Sequence, residues 1–116
     1  MSTSRPTRER LPNRRASETF DFEVGGLRYS ATISHFEDGR VGEIFLTSRK
    51  AGSQADTAAR DSAIVLSLAV QHGADLEIIR RGLCRDGRGR ASGALGRALD
   101  LIAEHEAPEA NWGVSP

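Results

Sequence analysis

Between Phe20 and Ser34 apolar and polar residues alternate with one interruption, and this alternation constrains the fold more than anything else in the chain. Phe20, Phe22 and Val24 alternate with Asp21 and Glu23; Leu27, Tyr29, Ala31 and Ile33 alternate with Arg28, Ser30, Thr32 and Ser34. Successive side chains of a strand point to opposite faces, so each run describes a strand with one buried face. The interruption is Gly25-Gly26, a pair suited to the tight hairpin turn that needs positive φ at both central residues. Glu37-Asp38-Gly39-Arg40 marks a second turn, and Val41 to Ser48 (VGEIFLTS) reads as a third strand. Three strands joined by two short turns make an antiparallel meander.

After Ser48 the period lengthens. Residues 49–54 (RKAGSQ) form a loop containing Gly52. Ser53 or Asp56 can cap a helix that runs to about His72, because Ala59, Ala63, Leu66 and Val70 recur at three- and four-residue spacing and Gly73 supplies a stop. Asp75 caps a short second helix with Leu76, Ile79 and Leu83 turned inward. Residues 85–93 (RDGRGRASG) read as a flexible basic loop, and a third helix from about Ala94 to Glu104 places Leu95, Leu99 and Ile102 on one face. Strands first and helices afterwards imply the α+β class, with two to three helices packed on one face of a three-stranded antiparallel sheet.

A chain of 116 residues has room for one domain. Residues 1–18 are polar and Arg-rich, with Pro6 and Pro12, and read as a disordered or loosely docked basic arm. Residues 19–105 are the α+β domain and 106–116 a tail. Formal net charge is zero, but its distribution is uneven: five arginines fall within the first 15 residues, whereas the last stretch carries Glu104, Glu106 and Glu109 and no Lys or Arg. Cys84 is the only cysteine, so an intrachain disulfide and a C-x-x-C motif are both excluded. The apolar stretch from Ile64 to Val70 is far too short to span a bilayer. The arginines near the start are followed by polar residues and not by an apolar run, so the expected address is the cytoplasm, with no membrane partner.

Two segments have the chemistry to meet an anion. Arg49, Lys50, Gly52 and Ser53 lead into a helix N-terminus, where unpaired N–H groups and a partial positive charge attract negative ligands. Lys50 and Arg49 add charge, Gly52 permits close backbone approach, and Ser53 offers a hydroxyl. The order of residues is not that of a P-loop, and the same segment reads as a turn and N-cap with solvated charges. The second cluster, Arg80, Arg81, Arg85, Arg88 and Arg90, with Arg97 beyond it, surrounds Gly87, Gly89 and Gly93. It describes a basic contact surface for a phosphate or an acidic partner, or a solvated connection. No aromatic residue is interleaved with these arginines, which weakens single-stranded nucleic-acid binding.

Catalytic and metal-binding signals are sparse. His35, His72 and His105 lie at a strand end, a helix end and the start of the tail, without the spacing of metal ligands. Cys84 follows an apolar helix face and reads as a small buried hydrophobe, with neighbouring arginines as the one feature that favours reactivity. Glu43 sits in the third strand and either points outward or pairs with a loop arginine. Neither a metal nor a cofactor is expected.

The runs Gly42-Glu43-Ile44-Phe45-Leu46-Thr47, Lys50-Ala51-Gly52-Ser53 and Ser67-Leu68-Ala69-Val70-Gln71-His72-Gly73-Ala74 resemble the TSCPD domain. That small domain occurs at the C-terminal end of cobalamin-dependent (class II) ribonucleotide reductases and as short free-standing proteins. The resemblance covers about Leu11 to Ala103 and includes Leu11-Pro12-x-Arg14. Arg49 stands where the family often has Gly. The signature that names the family is missing, and Ser92-Gly93-Ala94-Leu95-Gly96 stands in its place. The resemblance implies that radical, substrate and cobalamin sites belong to a large barrel that this chain has no room for. It therefore implies an accessory or regulatory domain without catalysis of its own, binding a nucleotide phosphate or a ribonucleotide reductase. The sequence also supports a protein-interaction module or homo-oligomer formed through sheet edges, and, third, nucleic-acid binding through the Arg-rich segments.

Overall fold

The computed structural model describes residues 7–13 and 17–106. The elements run in the order β1 (Ser17–Val24), β2 (Leu27–His35), β3 (Val41–Ser48), α1 (Gln54–Gln71), α2 (Leu76–Gly82) and α3 (Ala94–His105). The strands form one antiparallel sheet in the order β1-β2-β3. Gly25 and Gly26 turn the first hairpin at φ of 62° and 78°, the positive values that a primed turn demands. β1 begins at Ser17, inside the segment assigned from the sequence to the arm. Its register with β2 runs unbroken from Ser17↔Ser34 to Val24↔Leu27, helped by a hydroxyl–hydroxyl bond of 3.0 Å between Thr19 and Thr32.

Each period-two run buries the face it was expected to bury. Phe22, Tyr29, Ala31, Ile33, Ile44 and Leu46 are buried, while Thr19, Asp21, Glu23, Arg28 and Phe45 lie exposed on the opposite face. From the helices, Ala59, Ala63, Leu66, Val70, Ala98, Leu99 and Ile102 complete one hydrophobic cluster on the inner face. Ile33, Ile44, Leu46 and Leu99 are at most 2% exposed, and each such side chain contributes roughly 1.5–3 kcal/mol relative to exposure. α1 packs on β3, and α3 returns to β1.

β3 is an edge strand, yet α1 seals its outer side with polar side chains. Ser67 Oγ accepts from Ile44 N at 2.9 Å and donates to Ile44 O at 3.1 Å. Gln71 Nε2 donates to Gly42 O at 2.8 Å, and Asp56 Oδ1 accepts from Ser48 N at 2.8 Å. An exposed edge is a template for pairing with another chain; here three helix residues at one inward stripe satisfy its backbone instead.

Residues 7–13 of the basic arm are docked on this seam. Glu9 N donates to Gln71 O, Arg8 Nε donates to Gln71 Oε1, and Arg40 pairs with Glu9 at 2.7 Å. Leu11 packs against the core close to Gly42, where a Cβ would stand 3.0 Å from both Leu11 and the Phe36 ring. A side chain at Gly42 would push at the point where the arm enters. Residues 1–6 and 14–16 of the arm, and the tail from 107, lie outside the described residues.

Candidate functional site

The loop between β3 and α1 carries the first predicted site. Gly52 adopts φ of 79°, which bends the chain so that Ser53 becomes the N-cap. Ser53 Oγ accepts from Asp56 N at 3.1 Å and donates to Lys50 O at 2.7 Å. Asp56, offered by the sequence as the other cap, instead sits inside the first turn and reaches back. Its carboxylate accepts from Ser48 N, from Gly52 N at 3.1 Å and from Arg60 Nε at 2.9 Å. Asp56 is 3% exposed, and the backbone N–H of Ser48, with Gly52 and Arg60, holds its carboxyl down at about 2. The Gly52 N–H and the Ser53 hydroxyl are therefore engaged within the chain. Arg49 and Lys50 remain exposed at the rim, with no side-chain partner among the described residues.

The second predicted site is largely internally paired. Asp100 on α3 receives Arg85 through both Nη atoms and Arg80 through Nη1, each at 2.8 Å. Glu77 accepts from Arg80 and Arg81 at 2.6–2.9 Å. Arg85 and Arg80 hold the Asp100 carboxyl at about 2, and Arg80 and Arg81 do the same for Glu77. Residues 85–93 were expected as a flexible loop, and this expectation is corrected. Arg85 and Ala91 form a β-bridge, Ser92 N donates to Cys84 O, and Asp86 Oδ1 accepts from both Arg88 N and Arg90 N. An Asp side chain that gathers the following backbone donors organises the turn in spite of its glycines. Arg88 and Arg90 are the two arginines of the predicted set whose side chains stay unpaired and exposed among the described residues.

The two clusters do not converge on one pocket. A groove of about 390 Å³ runs between α1 and the 83–96 segment, lined by Ala55, Ala58, Ser62, Leu83, Cys84 and Gly93 among others, with neither Lys50 nor any arginine in its walls. A second cleft of about 580 Å³, between the β1–β2 turn and the 86–92 turn, brings Arg90 and Arg97 together with Glu23 and Asp86, so its charge is mixed.

Cys84 is exposed, which corrects the expectation of a buried thiol. The chain has left α2 by that point, so Leu83 turns to the core and its neighbour turns out. His35 lies 3.3 Å from Glu106, and His72 Nδ1 lies 2.8 Å from Leu68 O at the end of α1. Glu43 is half-buried opposite Ser34. Among the described residues no group of three His, Cys, Asp or Glu is placed to hold a metal ion. No helix among them is long and apolar enough to cross a membrane.

One feature had no clear sequence signal. Ile64, Val65 and Leu68 on α1 and Phe45 on β3 are 42–66% exposed. Ile64, Val65 and Leu68 lie together on the side of α1 turned from the core, whereas Phe45 lies on the open face of the sheet. The spacing of Ala59, Ala63, Leu66 and Val70 leaves Ile64, Val65 and Leu68 off the inward stripe, but nothing in the run says that no other described element covers them.

Fold and clusters together define a small α+β domain built as a meander with three helices on one sheet face. Its similarity to known proteins is to part of a much larger enzyme. It is 39% identical over 75 residues to a vitamin B12-dependent ribonucleotide reductase of Rhodopirellula baltica, covering 65% of this chain and 7% of that protein. It is 41% identical over 70 residues to the vitamin B12-dependent ribonucleotide reductase of Agrobacterium fabrum, covering 60% and 6%, and 37% identical over 73 residues to that of Streptantibioticus cattleyicolor, covering 63% and 12%. The chain is thus related to a short segment of such reductases and spans only 6–12% of their length. These 116 residues lack the reductase's catalytic barrel and cannot supply its activity alone. No family model matches the chain, so the TSCPD name rests on the motifs alone. No solved structure matches it.

Proposed function

We propose that this chain is a non-catalytic accessory domain that docks, through the outward face of α1, onto a reductase of the kind whose segment it resembles. The observation that carries this reading is the exposed Ile64–Val65–Leu68 surface, set beside cationic clusters that are mostly neutralised within the chain. In the relatives the similar segment is a small part of a long chain, a setting in which such a face has a neighbour to cover it. Contiguous exposed apolar surface is what a protein-docking site requires.

The test is a fluorescence-anisotropy titration of the labelled chain with a purified vitamin B12-dependent ribonucleotide reductase from which the similar segment has been removed. Val65→Asp combined with Leu68→Asp should weaken binding by at least about 30-fold, the equivalent of one ~2 kcal/mol hot spot. Both positions are exposed, so circular dichroism should show the fold retained. No binding, or binding indifferent to the double substitution, sinks the proposal. Light scattering on the free chain reports whether the same face instead pairs two copies.

A second reading has one observation in its favour. Arg49 and Lys50 stand exposed in the loop before α1, with no side-chain partner among the described residues, suited to a nucleotide phosphate. A thermal-shift screen with ribonucleotides and deoxyribonucleotides tests it, and Lys50→Ala should abolish any shift that nucleotides produce.

A further inference from the structure

The two edges of the sheet are treated differently. On β3 the outward backbone groups of Gly42, Ile44 and Ser48 bond to α1 side chains. On β1 no other element among the described residues pairs with the outer side. Hydrogen-bonded residues alternate along an antiparallel ladder. Arg28 O accepts from Arg49 N on the β3 side, so the odd-numbered residues of β2 bond towards β1. Their β1 partners are Glu18, Phe20, Phe22 and Val24, and the N–H and C=O groups of Thr19, Asp21 and Glu23 therefore face outward.

The surroundings of that edge select what can pair with it. A groove of about 430 Å³ runs beneath it between β1 and α3, with Phe20, Leu101 and Ile102 in its walls and Glu18, Asp21 and Glu106 among its polar lining. On the open face Asp21 accepts from Ser30 at 2.6 Å and Glu23 lies 3.8 Å from Arg28, so β1 carries three acids and no base. A second copy of β1 is a poor occupant, because only the outward-bonding residues can face each other, and antiparallel self-pairing centred on this edge places Asp21 opposite Asp21 of the other copy. Like charges directly opposite destabilise a sheet.

We infer that β1 is a docking edge for a short, extended, basic peptide segment of another protein, which adds as a fourth strand with apolar side chains towards the groove and lysines or arginines towards Asp21 and Glu23. Strand addition supplies affinity through the backbone, and alternate side chains supply specificity. This does not rest on the docking of α1, which lies at the opposite edge of the sheet.

The probe is a capped, labelled hexapeptide alternating lysine and valine, titrated into the full chain by anisotropy, with an alternating glutamate–valine peptide as the control. The basic peptide should bind at least ten-fold more tightly, and amide NMR shifts should concentrate at Thr19, Asp21 and Glu23. Asp21→Lys combined with Glu23→Lys should reverse the preference between the peptides. Thr19→Pro removes one outward N–H while keeping every acid, and an edge strand tolerates proline there; it should weaken binding at least ten-fold relative to Thr19→Ala. Equal affinity for both peptides, no binding, or shifts confined to α1 overturn the inference. So does wild-type affinity in Thr19→Pro, which would show charge attraction without strand pairing. Binding that appears only after deletion of residues 107–116 also overturns it, since the chain's own tail would then be the occupant.

Discussion

The seam between α1 and β3 and the cluster joining α2 to α3 are both built from charged and polar side chains, yet they act by different physics. In the seam, Asp56, Ser67 and Gln71 are 2–8% exposed and bond to backbone groups of a strand. In the cluster, Arg80, Arg85 and Asp100 bond to one another with side chains 14–25% exposed. A buried backbone group left without a partner bears its whole desolvation cost, whereas a partly exposed ion pair is screened by salt and weakened by competing water. The seam should therefore set stability, and the cluster should tune it according to the solution.

The sharpest way to break this contrast is Ser67→Ala. It strips both Ile44 N–H and Ile44 C=O of their partner, and should cost about 1–3 kcal/mol in urea unfolding whatever the salt. Asp100→Asn should cost less, about 1 kcal/mol, because the pairs it weakens are partly solvated. Its deficit should shrink in 1 M salt while that of Ser67→Ala stays fixed. If the Asp100 deficit ignores salt, or the Ser67 deficit follows it, the two regions do not differ as described. The smallest effect is in acid. Asp56, Glu77 and Asp100 have ordinary values of 3.8–4.5 when unfolded and are held at about 2 in the folded chain. Between these values the unfolded state binds more protons, so stability present above about pH 4 is lost as pH falls towards 2. Asp56→Asn should flatten part of that fall at both low and high salt. Asp100→Asn should flatten it chiefly at low salt.

Much of the fold was legible before the structure. The period-two runs placed β2 and β3 to within a residue or two, and the spacing of Ala59, Ala63, Leu66 and Val70 gave the buried stripe of α1. β1 was read short at its start because Ser17, Glu18 and Thr19 are polar and announce no buried face; the Thr19–Thr32 pair extends the ladder there. The sites were less legible, because charge in a sequence does not reveal its partner. Asp100 meets arginines 15 and 20 residues away, and Gln71 meets Arg8 at a separation of 63. Only the folded chain shows that these cations are occupied while Arg49 and Lys50 have no partner among the described residues. The inward polar stripe of α1 was hidden for a related reason. Ser67 and Gln71 look like solvent-facing residues until a strand edge is set against them.

From β1 through α1 every element rests on the one made just before it, so residues 17–71 can assemble as the chain emerges, without waiting for anything downstream. Contacts of such short sequence separation form quickly. The last helix is different: α3 must travel back to the first strand to cover it. Its arrival closes the molecule, and its departure would be the cheapest partial opening that uncovers the core. The lifetime of the intact domain is then governed less by the meander than by how firmly its final twelve-residue helix holds on to the beginning.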